Sequence, residues 1–440
     1  MRAALGLNAL SRLPVGVSRP DYDFANLGVG ILHLGLGAFH RAHQAIFTED
    51  AIRAAGGAWG IVGAAFRHPA TPDALAAQDH LYTVESLSDV PEYRITAVLR
   101  SSLTAATQAA QLKSRFVEPQ IHIVTLTITE KGYCLDQNGE LDFSDVHLAH
   151  DLQQPGAPVT AIGWLALGLA ERYRTAARPM TVISCDNLGE NGLKLGRAVT
   201  AFMARTRPEA LPWLRSNVRF PQSVVDCIVP ASSDANRMRV REHIGLSDAA
   251  AVQREPYSQW VIEEAFAGPR PHWDRAGVEI VADVSDYARL KLHVLNACHS
   301  ALAYLGQSRG YSLVREAAAD PALARFLDEM VECEIGPAVS PLAVDEYWRV
   351  VRRRFQNPHI DHQLSQIAQD GQQKLSQRIF PLMISNLRTG AAIARLAQVV
   401  RAWLDFEQVD PKAALDDGSW VPPCVATNPA ARVVILSGAT

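Results

Sequence analysis

Lys291, Asn296 and His299 stand in the segment KLHVLNACH. One long cation and two hydrogen-bonding groups at this spacing can serve one reacting oxygen. On an α-helix, at 3.6 residues per turn, the three fall within an arc of about 140°. Around them the segment is apolar, with Leu290, Leu292, Val294, Leu295, Ala297, Ala301 and Leu302. Polar groups on an apolar helix need partners. A buried ammonium loses hydration, and its pKa falls from about 10.4 toward the range of a general base. The same residues also fit a snorkelling lysine and a satisfied core histidine. His293 lies on another face and reads as structural.

A second group of residues suits phosphate. The apolar run Gly30–Leu34 leads into Gly35-Leu36-Gly37 and then a helical stretch, Phe39–Ala55. Strand, Gly-x-Gly and helix together make a dinucleotide-binding turn, with the helix N-terminus facing the pyrophosphate. The full pattern has a third glycine where His40 stands, so a structural βα turn remains open. The second strand ends Ala64-Ala65-Phe66-Arg67, without the acid that accepts from an adenosine ribose. Arg67 there leaves room for NADP beside NAD. Two loops follow apolar runs. Cys185-Asp186-Asn187-Leu188-Gly189-Glu190-Asn191-Gly192 offers the Asn187 amide or a helix N-cap. Phe220–Asp226 offers Asp226, a lone carboxylate in apolar surroundings.

These groups need two kinds of scaffold. Trp59–Phe66, Ile121–Ile128 and Met180–Ser184 are further apolar runs, which read as strands covered on both faces. Strands alternating with helices predict βαβ units and a mostly parallel sheet. Tyr82–Leu87 and Tyr93–Leu99 read as a hairpin-like addition, and Gly268–Gly277 as a surface loop. After residue 285 the pattern is helical: Asp286–Gln307 as one long helix, then Tyr311–Cys333, Leu342–Phe355, Ile360–Gly371 and Asn386–Phe406. The tail after Asp416 reads as irregular, apart from the apolar run Val433–Leu436. The expected organisation is an α/β Rossmann-type domain over 1–284 and an all-α substrate-binding domain over 285–440.

The chain has 440 residues, 48% of them hydrophobic and 20% charged, with a net charge of −4. That composition is globular, and it lacks the basic excess of a nucleic-acid binder. No run approaches the 18–20 or so apolar residues of a membrane span. Met1–Leu10 has no long apolar core, so no secretory signal is expected. The six cysteines form no CxxC pair, which argues against a disulfide framework or zinc ribbon and for a cytoplasmic setting.

Longer segments resemble the mannitol dehydrogenase family, the long-chain polyol-specific dehydrogenases and reductases. They are LHLGLGAFHRAHQA (32–45), RHPATPDALAAQDHLYTVES (67–86), TLTITEKGY (125–133), VISCDNLGENG (182–192), FPQSVVDCIVP (220–230), EPYSQWVIEEAF (255–266), KLHVLNACHSALAYLG (291–306) and RFQNPHIDHQLSQIAQDGQQKL (354–375). They run in order from about residue 25 to about residue 400. In this family Gly-x-Gly-x-Phe replaces the third glycine, so the resemblance implies cofactor contacts at Gly35, Gly37, Phe39, Arg67 and Asn187. It implies Lys291 as general base without a metal, Asn187 and Asn296 polarising the reacting oxygen, and His299 on a substrate hydroxyl. Asp226, His299, His362, Gln366 and Lys374 would bind substrate. There are departures. Some polyol-oxidising members have Glu where Ala288 stands, NAD-specific mannitol enzymes have Asp at the end of strand two where Ala65 stands, and an Arg tends to stand in polyol enzymes where Gln366 stands. HQLSQIAQDGQQK is closer to the branch interconverting D-mannonate and D-fructuronate, where Lys374 would meet the carboxylate. The expected activity is NAD(P)-dependent oxidation and reduction of a sugar acid, in a monomer or weak oligomer. A polyol dehydrogenase (mannitol/fructose or arabinitol/xylulose) is one alternative, and a non-catalytic nucleotide or sugar sensor is another.

Overall fold

Apolar runs become strands where helices cover both faces of the sheet. The computed structural model describes residues 3–175, 178–418 and 420–437. The chain divides into two compact units, Met1–Val284 and Ser285–Thr440.

The first unit holds strands β1 (Val29–Leu34), β2 (Gly60–Ala65), β3 (Tyr82–Ser86), β4 (Glu92–Thr96), β5 (Leu99–Thr104), β6 (Ile123–Leu126), β7 (Met180–Ser184), β8 (Val218–Arg219), β9 (Ser223–Asp226), β10 (Val252–Arg254), β11 (Gln259–Glu263) and β12 (Glu279–Val281). Six of them form one sheet in the order β5-β2-β1-β6-β7-β8, every pair parallel. Renumbered within the sheet, this is the doubly wound dinucleotide-binding order, with its switch point between β1 and β6. Successive residues feed opposite cores. Ile31, Ile61 and Ile123 belong to one cluster, and Leu32, Val62 and Val124 to the other. The parallel sheet and Rossmann architecture expected from the apolar runs are present.

Details differ from the sequence reading. The β3–β4 hairpin is antiparallel as expected, but it joins β10 in a separate three-stranded sheet. β9 ends at Asp226 in a third sheet, antiparallel to β11, with Asp226 opposite Gln259. The Phe39–Ala55 helix is broken at His43 into Ala38–Ala42 and Gln44–Ala55. Gly268–Gly277 is not wholly a surface loop, because Trp273 within it is fully buried.

The second unit is helical around a single apolar core, as expected. Its expected helices are subdivided by local chemistry. Tyr311–Cys333 splits at Asp320-Pro321, where Asp320 accepts from the Ala322 and Leu323 amides and Pro321 opens a new helix, Pro321–Met330. Asn386–Phe406 splits at Gly390, whose φ of 73° ends the helix Phe380–Thr389. In Ile360–Gly371 one short helix spans Leu364–Ala368, Asp370 follows in the left-handed region, and Gly371 opens the next helix. The tail is not irregular. Pro423–Ala426 and Pro429–Ser437 are helices that bury Val425, Ala431 and Ile435, with their prolines in the first turn, where proline starts a helix rather than breaking it. The long helix expected over Asp286–Gln307 is three segments: α over Ser285–Leu290, π over Lys291–Asn296 and α over Ala297–Ser308.

Candidate functional site

In the first unit, β1 lies parallel to β2 and β6, with Leu34 level with Ala64 and Leu126. This register sets the loops after the three strands side by side. Gly35 has φ of 97°, and a Cβ there would meet the Thr127 carbonyl oxygen at 2.0 Å. Only glycine makes this turn. Gly37 is exposed and heads the short helix; a Cβ there would meet nothing nearer than the Gly35 oxygen at 3.7 Å. Backbone is therefore open to a phosphate at this point.

The third-glycine position has a physical account. His40 is fully buried, and its ring stacks on that of His33 of β1, with centroids 3.4 Å apart and planes 10° apart. His33 Nδ1 lies 2.8 Å from Thr125 Oγ1, and its Nε2 lies 3.0 Å from the Gly35 carbonyl oxygen. Strand and helix here pack through two imidazoles instead of through glycine. Phe39 is half-buried and stacks on His43 at 5.0 Å.

Arg67 is exposed beyond the end of β2. With Phe66, Ala105, Ala106, His147, Pro158, Val159 and Trp164 it lines a cavity of about 200 Å³. Its walls are mostly apolar, and it adjoins the carboxyl ends of β2 and β5, which suits a flat ring.

The loop after β7 is held by its own polar network. The Asp186 carboxylate accepts from the Ile128 and Thr129 amides at 2.9 Å each and from the Tyr133 hydroxyl at 2.7 Å. Burial raises its pKa, and these hydrogen bonds oppose the rise. Asn191 donates to the Asp186 and Ser223 carbonyls. Neither Asp186 nor Asn187 caps the following helix, Asn191–Thr206, which begins after Glu190. Thr129 and Glu190 both have positive φ, so both loops carry backbone strain. Asn187 is exposed on this braced loop, and Asp226 is buried at the end of β9.

In the second unit, Lys291 opens the π segment and Asn296 closes it. A π turn bonds residue i+5 back to residue i, so Asn296 comes over Lys291 rather than standing some 140° around the helix. Lys291 is half-buried, while Asn296 and His299 are 8% and 7% exposed. The His299 ring sits 4.4 Å from Phe355 and 5.4 Å from His362. His299 Nε2 is buried with no hydrogen-bond partner among the described residues. Burial first, then the charges of His362, Arg378, Arg354 and Lys291, hold its pKa well below the ordinary 6.5. His362 is likewise lowered by burial and by Lys374. Lys374 Nζ donates to the Ile367 carbonyl at 3.0 Å, and Gln366 is exposed on its short helix. Arg378 and Arg354 went unremarked in the sequence. Arg378 follows Lys374 by four residues on one helix face, a spacing that could have flagged it.

The buried imidazoles make acid stability a test. Burial drives His33 down to about 3 and His40 well below 6.5. Both bind a proton more weakly folded than unfolded. Their stabilising contribution is therefore complete above 6.5 and is lost as pH falls below it toward the folded values. Together they remove about 3 kcal/mol from the first unit per pH unit in that window. The raised carboxyls Glu49, Asp186 and Asp248 counteract this only once the pH reaches their own shifted values. Denaturant midpoints for the first unit should fall from about pH 7 to about pH 5.5. A flat profile would mean that these rings bind protons in the folded state or that the raised carboxyls take up protons over the same range.

Comparison with known proteins places this architecture. The model of the mannitol dehydrogenase Rossmann domain matches residues 29–275, and that of the mannitol dehydrogenase C-terminal domain matches residues 283–417. The uncharacterized oxidoreductase YeiQ of Escherichia coli (strain K12) is 40% identical over 373 residues, 83% of this chain and 76% of that protein. The D-mannonate oxidoreductase of the same strain is 36% identical over 407 residues, 90% of this chain and 83% of that one. The solved structure of Pseudomonas fluorescens mannitol 2-dehydrogenase, a ternary complex with NAD and D-mannitol, aligns with a TM-score of 0.89. It is 31% identical and covers 99% of this chain and 96% of its own. With both domain models matched in order and relatives above 30% identity along most of its length, the chain belongs to the mannitol dehydrogenase family of oxidoreductases.

Proposed function

We propose that the protein is an NAD-dependent oxidoreductase that interconverts a secondary alcohol and a ketone on a sugar acid, with D-mannonate and D-fructuronate as the best pair. The observation that carries this reading is the setting of His299. A buried ring nitrogen without a partner among the described residues suits a substrate hydroxyl, and Arg378, Arg354 and Lys291 act on it as cations. Such surroundings favour a substrate with a carboxylate over a neutral polyol. The similarity to a D-mannonate oxidoreductase supports the same choice.

The turn at Gly35 and Gly37 and the cavity beyond β2 fit a dinucleotide, with backbone amides toward its phosphates and apolar walls for its adenine. No acid at Ala65 demands a ribose 2′-hydroxyl, so NADP is accommodated as well. When bound, the nicotinamide supplies the hydride acceptor or donor. The protein's part is the proton and the charge. Neutral Lys291 takes the hydroxyl proton during oxidation, and its ammonium returns a proton to the ketone oxygen during reduction. The amides of Asn187 and Asn296 donate to that oxygen as it becomes alkoxide-like. His299 orients a neighbouring hydroxyl. Asp226, His362, Gln366 and Lys374 recognise the rest of the substrate.

A neutral polyol is the second reading, favoured by the likeness to an enzyme crystallised with D-mannitol and by the Lys374 ammonium already donating to the Ile367 carbonyl. Four parallel assays separate the two: NADH and NADPH oxidation, each with D-fructuronate and with D-fructose. Faster turnover with fructuronate is expected. Turnover confined to fructose would replace the sugar-acid reading with the polyol one. Nucleotide binding without turnover on a wider sugar panel would leave a sensor.

A further inference from the structure

We infer that Arg378 is a positioning residue for this reaction, one that locks the π turn carrying Lys291 and Asn296. The inference rests on reading that turn as the reacting element. A π turn is rare and competes with an ordinary α turn of the same residues, so something outside the helix must hold it. Arg378 ends the helix Gly371–Arg378 and grips the turn at two levels. Its guanidinium Nη1 donates to the Asn296 carbonyl at 3.4 Å and to Ser300 Oγ at 3.2 Å, spanning the π-to-α junction. Its own main-chain carbonyl lies 3.5 Å from His293 Nδ1, within the π segment. The last π residue, the first α turn and the middle of the π segment are thus tied to one residue.

The consequence is geometric. Asn296 is the residue whose main-chain carbonyl is held, so the place on the turn from which its side chain projects follows from the clamp. If the turn relaxes to α, Asn296 rotates away from Lys291 by more than a quarter turn. A displacement of this kind near reacting atoms costs rate rather than affinity for a remote ligand. The Arg378 charge also lies close enough to act on His299, consistent with a guanidinium beside the reacting face.

The test uses the full chain with Arg378→Gln and Arg378→Lys, and hydrogen exchange of the peptide spanning residues 291–300. Arg378→Gln should speed exchange in that peptide while the rest of the second unit keeps its protection. It should lower kcat about 10- to 100-fold, with the dissociation constant for NADH unchanged. Arg378→Lys should restore part of both effects, since an ammonium on a shorter side chain can reach one of the two acceptors. The contact with His293 is to main chain and survives both substitutions.

Unchanged exchange over 291–300 in Arg378→Gln would overturn the proposal whatever the turnover. So would a rise in exchange spread evenly over the second unit, or an Arg378→Lys variant that folds yet recovers nothing. Failure of the underlying reading shows elsewhere: Lys291→Ala would keep its turnover while the exchange results stood.

Discussion

Lys291→Ala should reduce turnover by about 10³-fold or more while leaving NADH binding intact. General acid–base groups contribute roughly 10²- to 10⁴-fold, and no described neighbour on the same turn can replace this one. His299 is held neutral by burial, and its Nε2 suits a hydroxyl rather than the reacting oxygen. His293 points its Nδ1 at the Arg378 carbonyl. Asn296 has no titratable proton. The Gly35–Gly37 turn proposed for phosphate belongs to the first unit and Lys291 to the second, so truncating the side chain leaves that backbone unaltered. Half-buried Lys291 also contributes little to the apolar core, so the variant should fold. The checks are single-turnover kinetics in both directions and NADH fluorescence titration. Turnover within tenfold of the parent would remove Lys291 from the reaction. Loss of both turnover and NADH binding would make it a structural residue.

Gly35→Ala should strongly weaken dinucleotide binding, and its contrast with Gly37→Ala separates two uses of glycine. At position 35 the backbone is left-handed, and the new methyl would stand 2.0 Å from the Thr127 carbonyl oxygen and 2.8 Å from its carbon. Both atoms are backbone of the loop after β6, so no side-chain rotation relieves the clash. Positive φ for a non-glycine residue and a forced backbone shift each cost of order 1–3 kcal/mol. The shift would also disturb the Gly35 carbonyl that His33 and Thr127 Oγ1 contact. A weakening of NADH binding by about 100-fold or more, with a lower melting temperature, is the expected result. Gly37 has extended backbone and open surroundings, so Gly37→Ala should keep the melting temperature and lose affinity only, because its methyl stands where phosphate would approach. Calorimetric titration with NADH beside thermal melts checks both. Unchanged NADH affinity in Gly37→Ala would mean that phosphate does not approach this turn. Gly35→Ala binding NADH normally would show that the loop after β6 yields.

Much of the architecture was legible because burial on both faces leaves a local mark. The runs at Gly30–Leu34, Trp59–Phe66, Ile121–Ile128 and Met180–Ser184 are apolar without alternation, and each became a strand of the parallel sheet. The change to helical periodicity after residue 285 likewise reflects one helical core. Family membership was legible in the ordered motifs. Short segments were harder to read. β9 and β12 pair with β11 across long stretches of sequence, and a run of three or four residues carries no period of its own. The tail after Asp416 read as irregular although its prolines open two helices, because position within a helix, not residue type, decides a proline's effect.

The sequence by itself determined which residue types are on hand for the proposed chemistry, since side-chain type and glycine stereochemistry are local properties. Only the tertiary structure decided how they are held. Nothing in KLHVLNACH forces a π turn; packing against the helix that ends in Arg378 accompanies it, and the turn sets the angle between Lys291 and Asn296. Nothing in GLGAFH says that His40 will stack on His33, because that contact needs strand and helix folded back on each other. The cations around His299 come from residues 291, 354 and 378, and their summed field exists only once the second unit has folded. Residue chemistry is written along the chain; angles, registers and fields come from contacts between distant parts of it.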